Sequence, residues 1–184
     1  MNKKLKNAEL GRLKETEYAQ SEKLPLTIVL DNIRSGLNIG SVFRTSDAFR
    51  LEQVLLCGIC AQPPHRDILK SALGASSTVD WTYHESTLDA VNSLKEEGYR
   101  IGSIEQAEDS LDLQNWKPGI NEKWAVVMGN EVKGVQQEIV DASDLCIEIP
   151  QFGTKHSLNI SVCTGMVAWQ YMIECGISQF AKNA

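Results

Sequence analysis

The feature that most constrains this chain is the alternation of short, largely apolar runs with segments of helical spacing. LTIVL at 26–30, QVLLCGI at 53–59, YRIGSIE at 99–105, KWAVVMG at 123–129 and LCIEIP at 145–150 read as strands buried on both faces. Between them, 39–49, 67–73, 86–98 and 135–143 read as helices, and VDWTYHE at 79–85 as a further brief strand. Ser86 is the expected cap of the helix that Gly98 stops. Such an order predicts an α/β layer structure with helices packed around a mainly parallel sheet. No internal repeat or low-complexity segment interrupts it.

The length of 184 residues suits one domain with a full core. Residues 3–20 are polar, with Leu5, Leu10 and Leu13 thinly spaced, and predict a weak amphipathic helix outside the main core. The chain therefore divides into an N-terminal helical extension, 1–23, and a single domain, 24–184. No apolar run approaches the roughly 20 residues of a membrane-spanning helix, and the N-terminus lacks an apolar signal core. Five cysteines, mostly inside apolar runs, read as reduced thiols of a cytoplasmic protein. The pair Cys57 and Cys60 has CxxC spacing but sits in an apolar strand with no second pair, which suits the core.

The formal net charge of −6 argues against a nucleic-acid partner until its distribution is read. Residues 80–112 hold nine acids against Lys95 and Arg100, while residues 1–70 hold eleven Lys/Arg against eight Asp/Glu. Charge alone describes two solvated faces, yet a locally basic face can still bind phosphate because screening confines each contact. The helix expected at 157–176 is apolar almost all round, so it is buried on more than one side. In a chain this short a second copy can supply the other surface, which makes a homodimer the expected assembly.

Three polar clusters lie just past strand ends, where ligands of parallel α/β sheets bind. Asn38 opens a helix that carries Arg44; the cluster reads as an N-cap with a surface arginine, and it also suits an oxyanion. Gly129, Asn130, Glu131 and Gly134 form either a simple turn or one with close backbone approach to a flat ligand. Ile149 leads to Ser157, Leu158 and Asn159 at the start of the apolar helix, where capping and ligand contact are both open. Neither a G-x-G-x-x-G nor a P-loop occurs, which disfavours a dinucleotide fold or an NTPase. No G-x-S-x-G elbow marks a serine hydrolase, and His65, His84 and His156 have no metal-ligand spacing.

In this order and at this spacing, DNIRSGLNIGSVFRTSDAF (31–49), WAVVMGNEVKG (124–134) and IEIPQFGTKHSLNISV (147–162) resemble the three motifs of the SpoU/TrmH family of RNA ribose 2′-O-methyltransferases. The middle segment 68–81 also fits, so the resemblance spans about residues 24–175. It implies a SPOUT fold whose C-terminal segment forms a deep trefoil knot, a rare exception to chain topology. It also implies S-adenosylmethionine as cofactor and dimerisation through the knot region. Carried over by position, Ile104, Gly129, Ile149, Ser157 and Leu158 would contact the cofactor. Arg44, Asn38, Glu131, Ser157 and Asn159 match the polar active-site positions, and Asn130 and Val132 differ from many relatives in a way that bears on loop shape.

The resemblance gives Arg44 the task of activating the 2′-hydroxyl. A guanidinium with a pKa above about 12 is a poor base, so phosphate gripping and alkoxide stabilisation are equally open. Asn38 and Asn159 would orient the ribose, and Glu131 would pair with Arg44, within a chain or across a dimer. No metal is called for, since the sulfonium already activates the methyl. RNA contacts are expected from Arg34 and Arg44, with Arg12 and Lys14 of the short basic extension favouring tRNA, at a D-loop guanosine, over ribosomal RNA. The competing readings are a non-catalytic RNA-binding member of the same fold and an unrelated nucleotide-binding α/β protein.

Overall fold

In a computed structural model, residues 2–6 and 9–181 are described. In chain order the elements are α1 (Glu15–Gln20), β1 (Leu24–Asp31), α2 (Gly36–Ala48), β2 (Leu51–Cys57), α3 (Arg66–Ala72), β3 (Asp80–His84), α4 (Thr87–Glu96), β4 (Arg100–Ile104) and β5 (Leu111–Asp112). There follow β6 (Trp124–Met128), α5 (Gln137–Ala142), β7 (Leu145–Glu148), α6 (Ile160–Tyr171), a π-helical turn (Met172–Gly176) and α7 (Ile177–Ala181). The seven strands form one sheet in the order β3-β2-β1-β6-β4-β7-β5. Every strand pairing among the described residues is parallel.

Strand periodicity sorts the side chains into two layers. Leu26, Ile28 and Leu30 of β1, with Trp124, Val126 and Met128 of β6, pack beneath Ile39, Val42 and Phe43 of α2 and Val167, Ala168 and Tyr171 of α6. Val29, Leu55, Ala125 and Val127 face the other way, against Ala90, Val91 and Leu94 of α4 and Ile139 of α5. Each buried Val, Leu, Ile, Phe or Met among them contributes roughly 1.5–3 kcal/mol. This two-sided covering is why the strands read as continuous apolar runs rather than as alternating ones.

Three expectations change. The helix predicted over 3–20 is confined to Glu15–Gln20, its stretch at 7–8 lying outside the described residues. Nor does it stand outside the core: Tyr18 is buried and joins the larger apolar cluster, one aromatic being enough to anchor a short polar helix. The last helix starts at Ile160 and passes into the π turn, where Gly176 packs tightly against Met172 and Leu24. Within this chain it is covered on one side only, since Val162, Met166, Trp169, Ile173 and Ile177 stay 40–53% exposed. The two-residue edge strand β5 was too short to show a period. No helix among the described residues is long and apolar enough to cross a membrane.

Because β6 inserts between β1 and β4, and β7 between β4 and β5, the loops leaving β1, β4, β6 and β7 crowd one edge of the sheet. Those loops carry all three sequence motifs.

Candidate active site

The end of β1 is held by a carboxylate that sequence reasoning did not single out. Asp31 is fully buried. Its Oδ1 accepts from Thr87 Oγ1 at 2.7 Å and Gln136 Nε2 at 2.9 Å, and its Oδ2 from the Gln136 backbone N–H at 3.1 Å. These bonds offset the cost of burying the group and tie the starts of α4 and α5 to β1.

Beyond β6 the chain closes a tight turn. The backbones of Asn130 and Gly134 exchange two hydrogen bonds of 2.9 Å. Asn130 also shapes the loop from within: its Oδ1 accepts from Val132 and Lys133 N–H, and its Nδ2 donates to the Asn32 carbonyl at 2.6 Å. Gly129 lets this turn lie directly on the strand end, since a Cβ there would overlap the backbone of Gly134 and Val135. The turn thereby delivers Glu131 to the start of α2.

Glu131 Oε2 accepts from Arg34 N–H at 3.1 Å, while Oε1 accepts from Ser35 N–H and Asn38 Nδ2, both at 3.2 Å. Helix starts expose unpaired N–H groups and favour negative charge, so a carboxylate suits this place. Partial burial pushes the Glu131 carboxyl up, but these donors outweigh it and hold the group below its ordinary value. It stays charged through the neutral range.

Asn38 does not cap α2. Ser35 is the cap, its side chain accepting from Asn38 N–H at 3.3 Å, because the helix starts three residues earlier than its apolar spacing suggests. That frees the Asn38 amide to link two other elements. Its Oδ1 accepts from Asn159 Nδ2 at 3.2 Å. Asn159 in turn caps α6, accepting from Ser161 N–H at 2.8 Å and Ser161 Oγ at 2.6 Å. Glu131, Asn38 and Asn159 thus form one hydrogen-bonded chain from the turn after β6, through the first turn of α2, to the cap of α6.

Beside it opens a cavity of about 1050 Å³. Ile104, Gly129, Ile149, Ser157 and Leu158 all line it, as do Glu131 and Asn159. Ser157 faces the cavity without entering the hydrogen-bonded chain. Arg44 stands apart, about 9 Å along the helix axis from Asn38. It is exposed, borders a second groove together with Ser161, and has no hydrogen bond or ion pair among the described residues. The Arg44–Glu131 pair is therefore not formed within the chain, Glu131 being already engaged by three nearer donors. Arg34 enters the site only through its backbone, its side chain being exposed. Arg12 and Lys14 are exposed and precede α1, which joins β1 at the amino end of the strands, and they take no part in the network.

Cys57 and Cys60 are buried free thiols, and burial pushes them up to about 12 and about 11, so both stay protonated at neutral pH. Cys60 Sγ accepts from Ile33 N–H at 3.1 Å and donates to the Leu30 carbonyl at 3.3 Å, which makes it a brace for the β1 end.

A family model described as the SpoU rRNA Methylase family matches residues 25–169. A tRNA (guanosine(18)-2′-O)-methyltransferase of Borreliella burgdorferi is 30% identical over 148 residues, which are 80% of this chain and 66% of that protein. The crystal structure of a TrmH/SpoU tRNA modifying enzyme of A. aeolicus superposes with a TM-score of 0.78 at 22% identity, covering 91% of this chain and 82% of the other. That of an AdoMet-bound rRNA methyltransferase from Sinorhizobium meliloti gives 0.76 at 22% identity, covering 86% and 59%. At that identity both likenesses show a shared fold. The chain spans between 56% and 66% of the length of the curated relatives it matches. The matched stretch runs from β1 to α6 and contains every member of the Glu131–Asn38–Asn159 chain, and on this match the protein belongs to the SpoU rRNA Methylase family.

Proposed function

We propose that the protein is an S-adenosylmethionine-dependent RNA methyltransferase that modifies a ribose 2′-hydroxyl. The observation that carries this reading is the Glu131–Asn38–Asn159 chain, two of whose members line the cavity at the strand ends. The cavity's chemistry suits the cofactor: Ile104, Met128 and Leu158 offer apolar surface for a purine, and Gly129 offers backbone without bulk. The carboxylates of Glu105, Glu108 and Asp141 suit a ligand bearing sulfonium and ammonium charge. When bound, S-adenosylmethionine supplies a methyl group that its sulfonium has already made electrophilic.

The chain's own residues supply orientation and charge. A ribose hydroxyl is a weak nucleophile and must be placed in line and relieved of its developing negative charge. With Asn38 donating one N–H to Glu131 and Asn159 donating one to Asn38, each amide keeps a second N–H, which leaves donors for a ribose. Glu131 fixes which way the Asn38 amide points. Arg44, with no internal partner, stabilises the alkoxide and grips an adjoining phosphate; its guanidinium does not act as a base.

Transfer RNA is the favoured substrate, with a D-loop guanosine as target, supported by the likeness to the Borreliella enzyme named for guanosine 18. Free thiols are consistent with action in the cytoplasm. A threaded C-terminal segment is supported by α6 and the turn after it gripping the loop before β6, through Gln170 to Trp116, Tyr171 to Glu122 and Cys175 to Pro118. A homodimer is supported by the exposed stripe Val162, Met166, Trp169, Ile173 and Ile177, spaced as one face of a helix. Sedimentation is expected to give twice the chain mass of 20.4 kDa, and Trp169→Glu to give the single mass. A wild-type monomer at micromolar concentration would remove the dimer.

The test of function is a pair of measurements. S-adenosylmethionine and its demethylated product are expected to bind in calorimetric titration, and NAD and ATP are not. RNA from a strain lacking the gene is expected to lose one tRNA 2′-O-methyl group. Loss from ribosomal RNA instead reassigns the substrate, and absence of cofactor binding overturns the activity.

A further inference from the structure

The groove beside Arg44 has a volume of about 500 Å³ and lies between α2 and α3. Its ionisable lining residues are Arg44 and Lys70, with no carboxylate, on a chain whose net charge is −6. The hydroxyls around them are mostly spent as donors. Ser41 and Ser71 both donate to the Leu37 carbonyl at 2.9 Å, and Ser161 donates to Asn159. Arg44, Lys70 and Thr45 have no hydrogen bond to their side chains among the described residues. Positive charge and unused N–H donors, with no carboxylate among the lining residues, are the makings of an anion site.

Two helices must touch for this to happen, and Gly40 is the reason they do. A Cβ at Gly40 would overlap Ser71 Oγ and the Ile68 carbonyl oxygen, so α3 lies directly on α2. Lys70 is thereby carried alongside Arg44, one helical turn beyond Gly40. Ser161, on the groove wall, is bonded to Asn159 of the candidate active site, so the groove adjoins the place proposed for the ribose.

We propose that this groove is a phosphodiester subsite, in which Lys70 joins Arg44 to hold a backbone phosphate of the substrate RNA beside the methylated nucleotide. The inference rests on the proposed RNA methyltransferase activity and adds to it a residue that belongs to none of the three motifs. Arg44 faces both the reacting ribose and the phosphate, whereas Lys70 serves the phosphate alone. A lysine is a point charge here, and its loss weakens RNA binding without disturbing the chemical step.

The experiment compares wild-type, Lys70→Ala and Lys70→Arg in methylation of the RNA found to lose its mark in the deletion strain. Lys70→Ala is expected to raise KM for RNA about tenfold, as loss of one charge-assisted phosphate contact would. kcat at saturating RNA is expected to stay within about twofold, with cofactor affinity unchanged, because contacts made equally before and during reaction affect KM alone. The slope of log affinity against log salt is expected to fall by about 0.7–0.9, the share of one phosphate. Lys70→Arg is expected to restore both KM and slope. Unchanged KM and slope in an active Lys70→Ala protein overturn the subsite while leaving the activity standing. A change in sedimentation of that variant assigns the groove to a subunit contact and also overturns it. A wild-type protein that methylates no RNA fails the earlier reading instead.

Discussion

Arg44→Ala is expected to lower methyl transfer by about 10³-fold, the scale on which loss of one oxyanion donor acts. Its guanidinium is exposed and bonds to nothing among the described residues, so its removal leaves no orphaned group and should not move the unfolding midpoint. S-adenosylmethionine affinity is expected to hold, since Arg44 borders the second groove and not the cavity. Single-turnover transfer of a labelled methyl group separates this from a binding defect. Arg44→Lys sharpens the result. It keeps the charge and loses the planar fork, and recovery of less than a tenth of wild-type rate is expected. Near-normal methylation by the lysine variant would remove both a bidentate grip and any arginine-specific activation.

Gly129→Ala is expected to damage both cofactor binding and folding. The new methyl group would overlap the Gly134 carbonyl carbon and the Val135 nitrogen, which are backbone atoms that cannot rotate away. The turn they belong to is pinned on three sides: by the paired bonds between Asn130 and Gly134, by Glu105 accepting from Val135 N–H at 3.0 Å, and by Asp31 accepting from Gln136 N–H. Overpacking of this kind costs about 1–3 kcal/mol. Urea unfolding should show that loss, and calorimetry a cofactor affinity at least about fivefold weaker, the equivalent of the lower end of that cost. Gly153→Ala is the control, because a Cβ there meets nothing within 4 Å. Equal effects at the two glycines would mean that the turn is not what shapes the cavity.

The strands were legible because burial on both faces leaves a residue-by-residue mark: Val126 and Val127 are adjacent and go to opposite cores. The residues of the candidate site were legible as types and spacings, since Asn38, Glu131 and Asn159 each sit just past a strand end or at a helix start. Their joining was not. Asn38 meets Glu131 across 93 positions and Asn159 across 121, and no local pattern encodes such pairs. Asn38 reads as a cap because Asn is a good one, but Ser35 is equally good and lies where the backbone turns. Asp31 was hidden for a related reason. A carboxylate ending an apolar strand reads as a solvated residue until its partners from α4 and α5 are in place. Tyr18 leaves no such mark, because a single buried ring on six residues gives no period.

The order of strands has a consequence for the growing polypeptide. By the time the ribosome has added Asn115, strands β1, β2 and β3 have one another to pair with, while β4 and β5 have no neighbour. Their neighbours, β6 and β7, are still untranslated, so two of the seven strands wait as bare edges of the kind that chaperones shield. Asn159 emerges later still. Asn38, made early, thus waits for partners from far later in the chain, and the centre closes only once Asn159 has been added.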